Sequence, residues 1–209
     1  MTNRLLRQTI RQQRRALTHS EAAACAEQLA QQAGKHPLLL RSDRIAAYLS
    51  SDGEIDPYPL LQSLWSAGKQ VYLPVLVPFS RQKLWFARFN PDDMLAFNHF
   101  GIPEPVQRRL IKPSALDLVL TPLVAFDAAG HRVGMGGGFY DRTFAFLQQR
   151  QHWHKPNLLG LAYEFQKQAT IKPNKWDVPL DAIATDVRIY ESTCQTSPTS
   201  IRDKAENRN

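Results

Sequence analysis

The sequence predicts an α/β fold. The expected form is a Rossmann-like, three-layer sandwich with a mostly parallel sheet, one domain over residues 1–191, and an N-terminal helical arm packing on it over residues 1–34. Three observations predict this. Strand-like stretches alternate with helix-periodic ones between residues 44 and 190, the order that builds parallel sheets. The most apolar stretch, Leu116 to Phe126, reads as a buried strand. A glycine cluster, Gly134 to Gly138, follows it and precedes a helical pattern.

The elements follow in order. Leu6, Ile10 and Leu17 with Leu5 share one face of a first helix, whose other faces are arginine-rich. Thr18 and Glu21 have capping-box spacing, which starts a second helix. Ala22, Cys25, Ala26, Leu29 and Ala33 form its stripe, and Gly34 with Pro37 stops it. Cys25 on that stripe reads as a core thiol. Arg44 to Leu49 reads as a strand and Ser50 to Glu54 as a polar loop. Asp56 caps a helix with Pro57 first and Leu60, Leu61, Leu64 and Trp65 inward, ended by Gly68. Val71 to Val77 is a strand in which Pro74 suggests an edge or a bulge. Leu84 to Phe89 is another strand, and residues 90–113 read as irregular. Asp127 to Gly130 is a turn, Phe139 to Arg150 a helix, and Leu158 to Tyr163 and Ile183 to Tyr190 are strands. The Ser/Thr/Asn-rich segment 192–209 is expected to be disordered.

Charge narrows the function. The 209 residues carry 26 basic and 19 acidic side chains, a net +7. Arg4, Arg7, Arg11, Arg14 and Arg15 lie in the first 20 residues with no acid among them, whereas residues 21–191 hold 18 basic and 17 acidic residues. The whole-chain charge would suggest nucleic acid, but the near-neutral body argues against a basic-arm nucleic-acid-binding module. The arm lacks the serines of a transit peptide. It suits phosphate binding, with Arg14 and Arg15 at its far end read as solvated. No apolar run approaches the ~18 residues of a membrane helix. Two cysteines, Cys25 and Cys194, are too few for a disulfide framework, so a cytoplasmic setting is expected.

The stretch Phe126 to Arg142 carries most of the chemical signal. Glycines let a ligand approach the backbone, and amides at a helix start favour an anion. Phosphate is the ligand this predicts, with Arg132 adding charge from one side. The dinucleotide pattern fails because Phe139 stands at its third glycine, which disfavours an NAD(P) enzyme. The P-loop pattern fails for want of Gly-Lys-Ser/Thr. Asp141 beside the glycines can hold Mg²⁺ against phosphate, with a dipole-complementing helix-start acid as its bland alternative, and Asp177 is the second carboxylate. Glu54 and Asp56 follow a strand, where open α/β sheets bind ligands. His152-Trp153-His154 has no partner at ligand spacing and reads as a surface loop.

Taken together, these residues resemble the 5-formyltetrahydrofolate cyclo-ligases, also called methenyltetrahydrofolate synthetases. The resemblance covers nearly all of residues 3–190. It rests on Leu6-Arg7 with Arg11, Arg14, Arg15 and Leu17, on Tyr48-Leu49-Ser50 with Glu54-Ile55, and on Gly68-Lys69 with Leu73-Pro74. Its centre is Arg132-x-Gly134-x-Gly136-Gly137-Gly138-Phe139-Tyr140-Asp141-Arg142, and Trp176-Asp177-Val178-Pro179-Leu180-Asp181 closes the pattern.

The resemblance implies ATP- and Mg²⁺-dependent cyclisation of 5-formyltetrahydrofolate, a small-molecule substrate, to 5,10-methenyltetrahydrofolate with release of ADP and phosphate; a monomer is expected. It implies that ATP is contacted by Asn3, Arg4, Leu5, Leu6 and Arg7 and by Arg132, Val133, Gly134, Met135, Gly136, Gly137, Gly138, Phe139 and Tyr140. Leu49, Glu54, Met135, Gly136, Gly137, Gly138 and Phe139 would meet the folate. Asp141 and Asp177 would hold Mg²⁺, and Arg132, Gly136, Gly137, Gly138 and Tyr140 would surround the reacting groups. Two positions depart from the family pattern. Asn3 stands where a basic residue is usual, with Arg4 next to it, and Phe139 stands where tyrosine is common. A folate- or nucleotide-binding paralogue without turnover is the alternative the sequence leaves open.

Overall fold

The computed structural model describes residues 2–77, 83–98, 101–149 and 155–193. His152-Trp153-His154, Cys194 and the rest of the tail lie outside them.

Two helices open the chain, α1 (Asn3–Ala16) and α2 (His19–Ala33). The capping box between them forms as its spacing predicts: Glu21 N–H donates to Thr18 Oγ1 at 3.2 Å, and Thr18 N–H donates to the Glu21 carboxylate at 2.8 Å. A short α3 (Pro37–Leu40) follows, with His36 as its cap. Then come β1 (Arg44–Ala46), α4 (Tyr58–Ser66), β2 (Gln70–Leu76) and β3 (Leu84–Arg88). Helix α4 starts one residue later than the sequence predicts, at Tyr58, whose N–H donates to Asp56 Oδ1 at 3.0 Å.

Residues 90–113 are not irregular throughout. They contain the hairpin β4 (Leu95–Phe97) and β5 (Pro103–Pro105), and then β6 (Leu110–Ile111), which pairs with β3. The prolines that read as breakers sit in a strand paired on one side only, where a missing N–H is tolerated.

The apolar run Leu116 to Phe126 is two strands rather than one. Strand β7 (Leu118–Pro122) enters the main sheet, and β8 (Ala125–Phe126) pairs with β9 (Arg132–Val133) in a separate hairpin. Helix α5 is short (Phe139–Phe144) and continues as a 3₁₀ turn over Ala145–Gln149. Strands β10 (Asn157–Ala162), β11 (Ala182–Thr185) and β12 (Ile189–Glu191) complete the fold, the last two replacing the single strand expected over 183–190.

The main sheet has the order β12-β11-β10-β7-β1-β2-β3-β6. Its five central strands, β11 to β2, run parallel; β12, β3 and β6 are antiparallel at the sides. Pro74 is therefore in neither an edge strand nor a bulge. Phe89 N–H bonds Val71 O on the β3 side, and Ala47 N–H bonds Tyr72 O on the β1 side. Even positions of β2 thus face β1, and Pro74 lies past β1's last residue, so its absent N–H breaks no ladder.

Successive residues of each central strand go to opposite faces. Ile45, Val71, Leu118, Leu159 and Ala182 pack with Leu29, Leu60, Leu61 and Leu64 of α2 and α4. Ala46, Tyr72, Val119, Leu158 and Ile183 pack with Phe144 and Phe126 on the other face. Cys25 lies half-buried against the first of these clusters, and burial pushes its thiol up to about 11, with Asp186 beside it acting in the same direction. At neutral pH it stays a thiol, as a core residue should.

The strand order fixes where a ligand crevice opens. From β1 the chain moves outward to β2 on one side; β7, β10 and β11 are laid down on the other. The reversal lies between β1 and β7. In open α/β sheets, ligands bind beyond the carboxyl ends of the strands at such a point. The segments there are 47–57 after β1 and 123–138 after β7, which carry Leu49, Glu54 and the glycines.

Candidate active site

The glycine segment begins where the β8–β9 hairpin ends. Helix α1 is fastened to that hairpin by a small core of its own: Leu6 and Ile10 pack with Val124, Ala125, Val133 and Ile171. Leu6 and Val133 are thus buried anchors, whereas Asn3, Arg4 and Leu5 are exposed at the start of the helix. This docking lays Arg7 over the glycines. Arg7 Nε donates to the Gly134 carbonyl at 2.8 Å. Its Cζ is 3.9 Å from where a Cβ on Gly136 would stand.

The backbone of the segment is open to solvent. Met135, Gly136 and Gly137 are exposed, and nothing lies within 4 Å of a Cβ placed on Gly134. Gly136 has φ +103° and Gly138 φ +63°, conformations that side-chain-bearing residues rarely adopt. Helix α5 has six residues, and Arg142 donates to the Gly137 carbonyl. The anion-attracting charge here is therefore arginine and loop amides rather than the dipole of a long helix. Along α1, Arg4, Arg7, Gln8, Arg11, Gln12 and Arg15 line an open basic groove of about 500 Å³.

Arg132 is buried and turned inward. Its guanidinium donates to the Val178 carbonyl and, at 2.6 Å, to Asp141 Oδ1. Burial lowers its pKa, and the charges of Asp141 and Asp177 oppose that. Asp141 Oδ1 also accepts Val178 N–H at 3.2 Å. Asp177 Oδ2 accepts the backbone and side-chain N–H groups of Asn174. Each carboxylate keeps its other oxygen unengaged among the described residues; Asp141 bonds the Arg132 guanidinium, and the Asp177 charge also acts on it. No group of three His, Cys, Asp or Glu able to hold a metal occurs among the described residues. Two carboxylates with spare oxygens fit Mg²⁺, which takes few protein ligands and completes its shell with phosphate oxygens and water.

Across the crevice, Leu49 is half-buried against the first core cluster. Glu54 is half-buried and accepts from Ser51 N–H and Oγ, both at 3.3 Å. Burial raises its pKa, opposed by Arg14 and by the Ser51 hydrogen bonds. Tyr140 also has a raised pKa, from burial first and then from the Glu54 charge. That interaction relates the end of the glycine loop to Glu54. Phe139 is half-buried with the Arg142 guanidinium 5.4 Å from its ring centre.

Residues 1–186 match the sequence model of the 5-formyltetrahydrofolate cyclo-ligase family. The chain belongs to this family. It is 44% identical over 184 residues to the 5-formyltetrahydrofolate cyclo-ligase of Escherichia coli K12, covering 87% of this chain and 99% of that one. It is 43% identical over 182 residues to the cyclo-ligase of Haemophilus influenzae, covering 83% and 94%. Among solved structures, the 5,10-methenyltetrahydrofolate synthetase of Aquifex aeolicus superposes with a TM-score of 0.76 at 28% identity, covering 100% of this chain and 97% of that one. The enzyme of the same name from Mycoplasma pneumoniae gives 0.68 at 26% identity, covering 89% and 99%.

The structure of this cyclo-ligase family member also corrects the expectation that the far end of the arm is solvated. Arg14 is not solvated: its side chain is buried, 3% exposed, and donates to the Leu123 carbonyl. Arg15 is not simply solvated either, since with Arg11 it bonds the Asp52 carboxylate, two residues before Glu54. The signal for Arg14 was its spacing: Leu6, Ile10 and Arg14 recur every four residues on one helical face.

Proposed function

We propose that the chain converts 5-formyltetrahydrofolate to 5,10-methenyltetrahydrofolate with consumption of ATP and release of ADP and phosphate, as a cytoplasmic monomer. The observation that supports this most is the junction of basic arm and glycine loop through Arg7 and Gly134, at the mouth of the crevice that also holds Glu54. A nucleotide triphosphate would lie between arm and loop, and the reduced folate against Leu49 and Glu54.

The chemistry asks for that arrangement. A formamide oxygen is a poor leaving group. Its attack on the γ-phosphorus forms a new P–O bond and releases ADP, giving an imidate phosphate. N10 then attacks the formyl carbon, the C–O bond breaks, phosphate leaves and N10 loses its proton. The first step needs the formyl oxygen held in line with the γ-phosphoryl group and charge on that group neutralised. In this reading the amides of Gly134 to Gly138 and the guanidinium of Arg7 hold the phosphates. Arg132 fixes Asp141 in place, Tyr140 and Phe139 wall the pocket, and Glu54 accepts from the donor edge of the pterin. Mg²⁺ held by Asp141 and Asp177 would supply positive charge to the phosphate oxygens.

The test is direct. Purified protein, Mg-ATP and 5-formyltetrahydrofolate are mixed, and the absorbance of the methenyl product is followed. ATP-dependent product formation is the expected result. Binding of folate or nucleotide with no product from a folded protein would instead identify a paralogue without turnover.

A further inference from the structure

Arg14 is a buried charge that the proposed chemistry does not use. Its side chain runs under the loop after β1: a Cβ on Gly53 would stand 3.1 Å from the Arg14 Cβ. One Nη donates to the Leu123 carbonyl, in the segment after β7. Its Nε and other Nη are buried without a hydrogen-bond partner. A buried guanidinium with two unpaired nitrogens is costly unless a negative charge compensates it. The carboxylate that does so most is Glu54. Glu54 is itself desolvated, and Arg14 is the largest influence favouring its charged form. No hydrogen bond or ion pair joins the two; each charge favours the other across the loop.

We propose that Arg14 is a positioning residue for the folate site: buried at the far end of the arm, packed against Gly53 and tied to the Leu123 carbonyl, it sets the place of the neighbouring Glu54 carboxylate. This rests on the reading of Glu54 as the folate contact and goes beyond it. It also gives the helix two tasks, with Arg7 at the glycine loop and Arg14, two turns later, at the Glu54 loop. The titratable groups that act on the pair are Tyr48 from the segment after β1, Asp52 in the Glu54 loop, Tyr140 from α5 and Tyr163 from the segment after β10. Apart from Arg14, all of them are acidic or phenolic, so none replaces its positive charge.

The experiment measures kcat/KM for 5-formyltetrahydrofolate against pH at saturating Mg-ATP, in the full-length protein. In wild type, folate use falls on the acid side as Glu54 protonates. Arg14→Gln keeps a donor for Leu123 but removes the charge. It moves that acid limb up by roughly one pH unit and raises the folate KM several-fold at neutral pH while the ATP KM changes little. Arg14→Lys restores the limb. If Arg14→Gln does not fold, Arg14→Met carries the same measurement. Glu54→Gln abolishes the limb and raises the folate KM about tenfold, and Arg14→Gln adds nothing further to it. A limb unmoved in Arg14→Gln, or equal losses toward ATP and folate, would make Arg14 a packing residue and overturn the proposal with Glu54's role intact. An unchanged folate KM and pH profile in Glu54→Gln would instead remove the Glu54 reading, and the proposal with it.

Discussion

Arg7 Nε donates to the Gly134 carbonyl at 2.8 Å, joining positions 127 residues apart in sequence. One Arg7 hydrogen bond thereby fixes the distance between a basic helix and a glycine loop, while the rest of the guanidinium stays beside Gly136. A phosphate held there would meet both at once without either having to move.

Arg7→Ala removes the tie and the charge together. The ATP KM is expected to rise about tenfold or more, the worth of a hydrogen bond to a charged group, and the folate KM less. Arg7→Lys should recover little, because an ammonium cannot bond the Gly134 carbonyl through Nε and present a planar fork to phosphate as well. Initial rates over an ATP series check this; an unmoved ATP KM removes Arg7 from the nucleotide site.

Asp141 has a structural duty besides its proposed metal role. It pairs with Arg132, whose side chain is 5% exposed, so Asp141→Ala leaves a buried Nη without its acceptor. The expected cost is about 1–3 kcal/mol of stability, together with lost turnover. Asp141→Asn keeps an acceptor for Arg132 and Val178 N–H, so it should fold like wild type and still lose turnover. Urea unfolding of both variants, with activity over a Mg²⁺ titration, separates the two duties. Wild-type activity in Asp141→Asn at every Mg²⁺ level would remove the metal role.

What the sequence revealed depended on whether a local pattern had one structural solution. Thr18 and Glu21 allow little besides a capping box, and the box forms. The glycines between a buried strand and a helix marked the candidate site, and the positive φ values at Gly136 and Gly138 show why glycine stands at those two positions. The run Leu116 to Phe126 concealed its break because two buried strands in succession have the same composition as one. Pro103 and Pro105 hid a strand because their fault matters only where both sides are paired. Arg14 escaped because charge assigns a residue to solvent, yet its four-residue spacing from Ile10 put it on the buried face. Its partner Glu54 lies 40 residues away, and only the packing of α1 onto the β8–β9 hairpin brings the two together.

Gly136→Ala tests whether the loop's backbone shape matters apart from crowding. The nearest atom to the new Cβ would be the Arg7 guanidinium at 3.9 Å, so there is room. The φ of +103° is the obstacle. Forcing it costs about 1–2 kcal/mol, and the loop should relax instead, turning its amides away. The ATP KM is then expected to rise several-fold with the fold intact. Gly134→Ala, with open space and no positive φ, should leave the melting temperature unchanged. Equal melting and equal ATP KM in both variants would show that loop conformation is irrelevant.

Asp52 separates the clamp on the Glu54 loop from the stability of the fold. Burial pushes its pKa up, but the hydrogen bonds and charges of Arg11 and Arg15 outweigh that, and the net direction is down. A carboxylate lowered in the folded state contributes stability that is present above its unfolded pKa, about 3.9, and is lost as pH falls through the lower folded value. Both arginines are well exposed, so the contribution at neutral pH is below about 1 kcal/mol. Asp52→Asn keeps the residue type that tolerates φ +51° and removes the charge. Its urea stability should fall only slightly at neutral pH and converge on wild type in acid. Its folate KM should nevertheless rise several-fold, because Glu54 loses the anchor two residues before it, while the ATP KM stays within about twofold. A folate KM equal to wild type would mean that Ser51 and Arg14 alone fix the Glu54 loop.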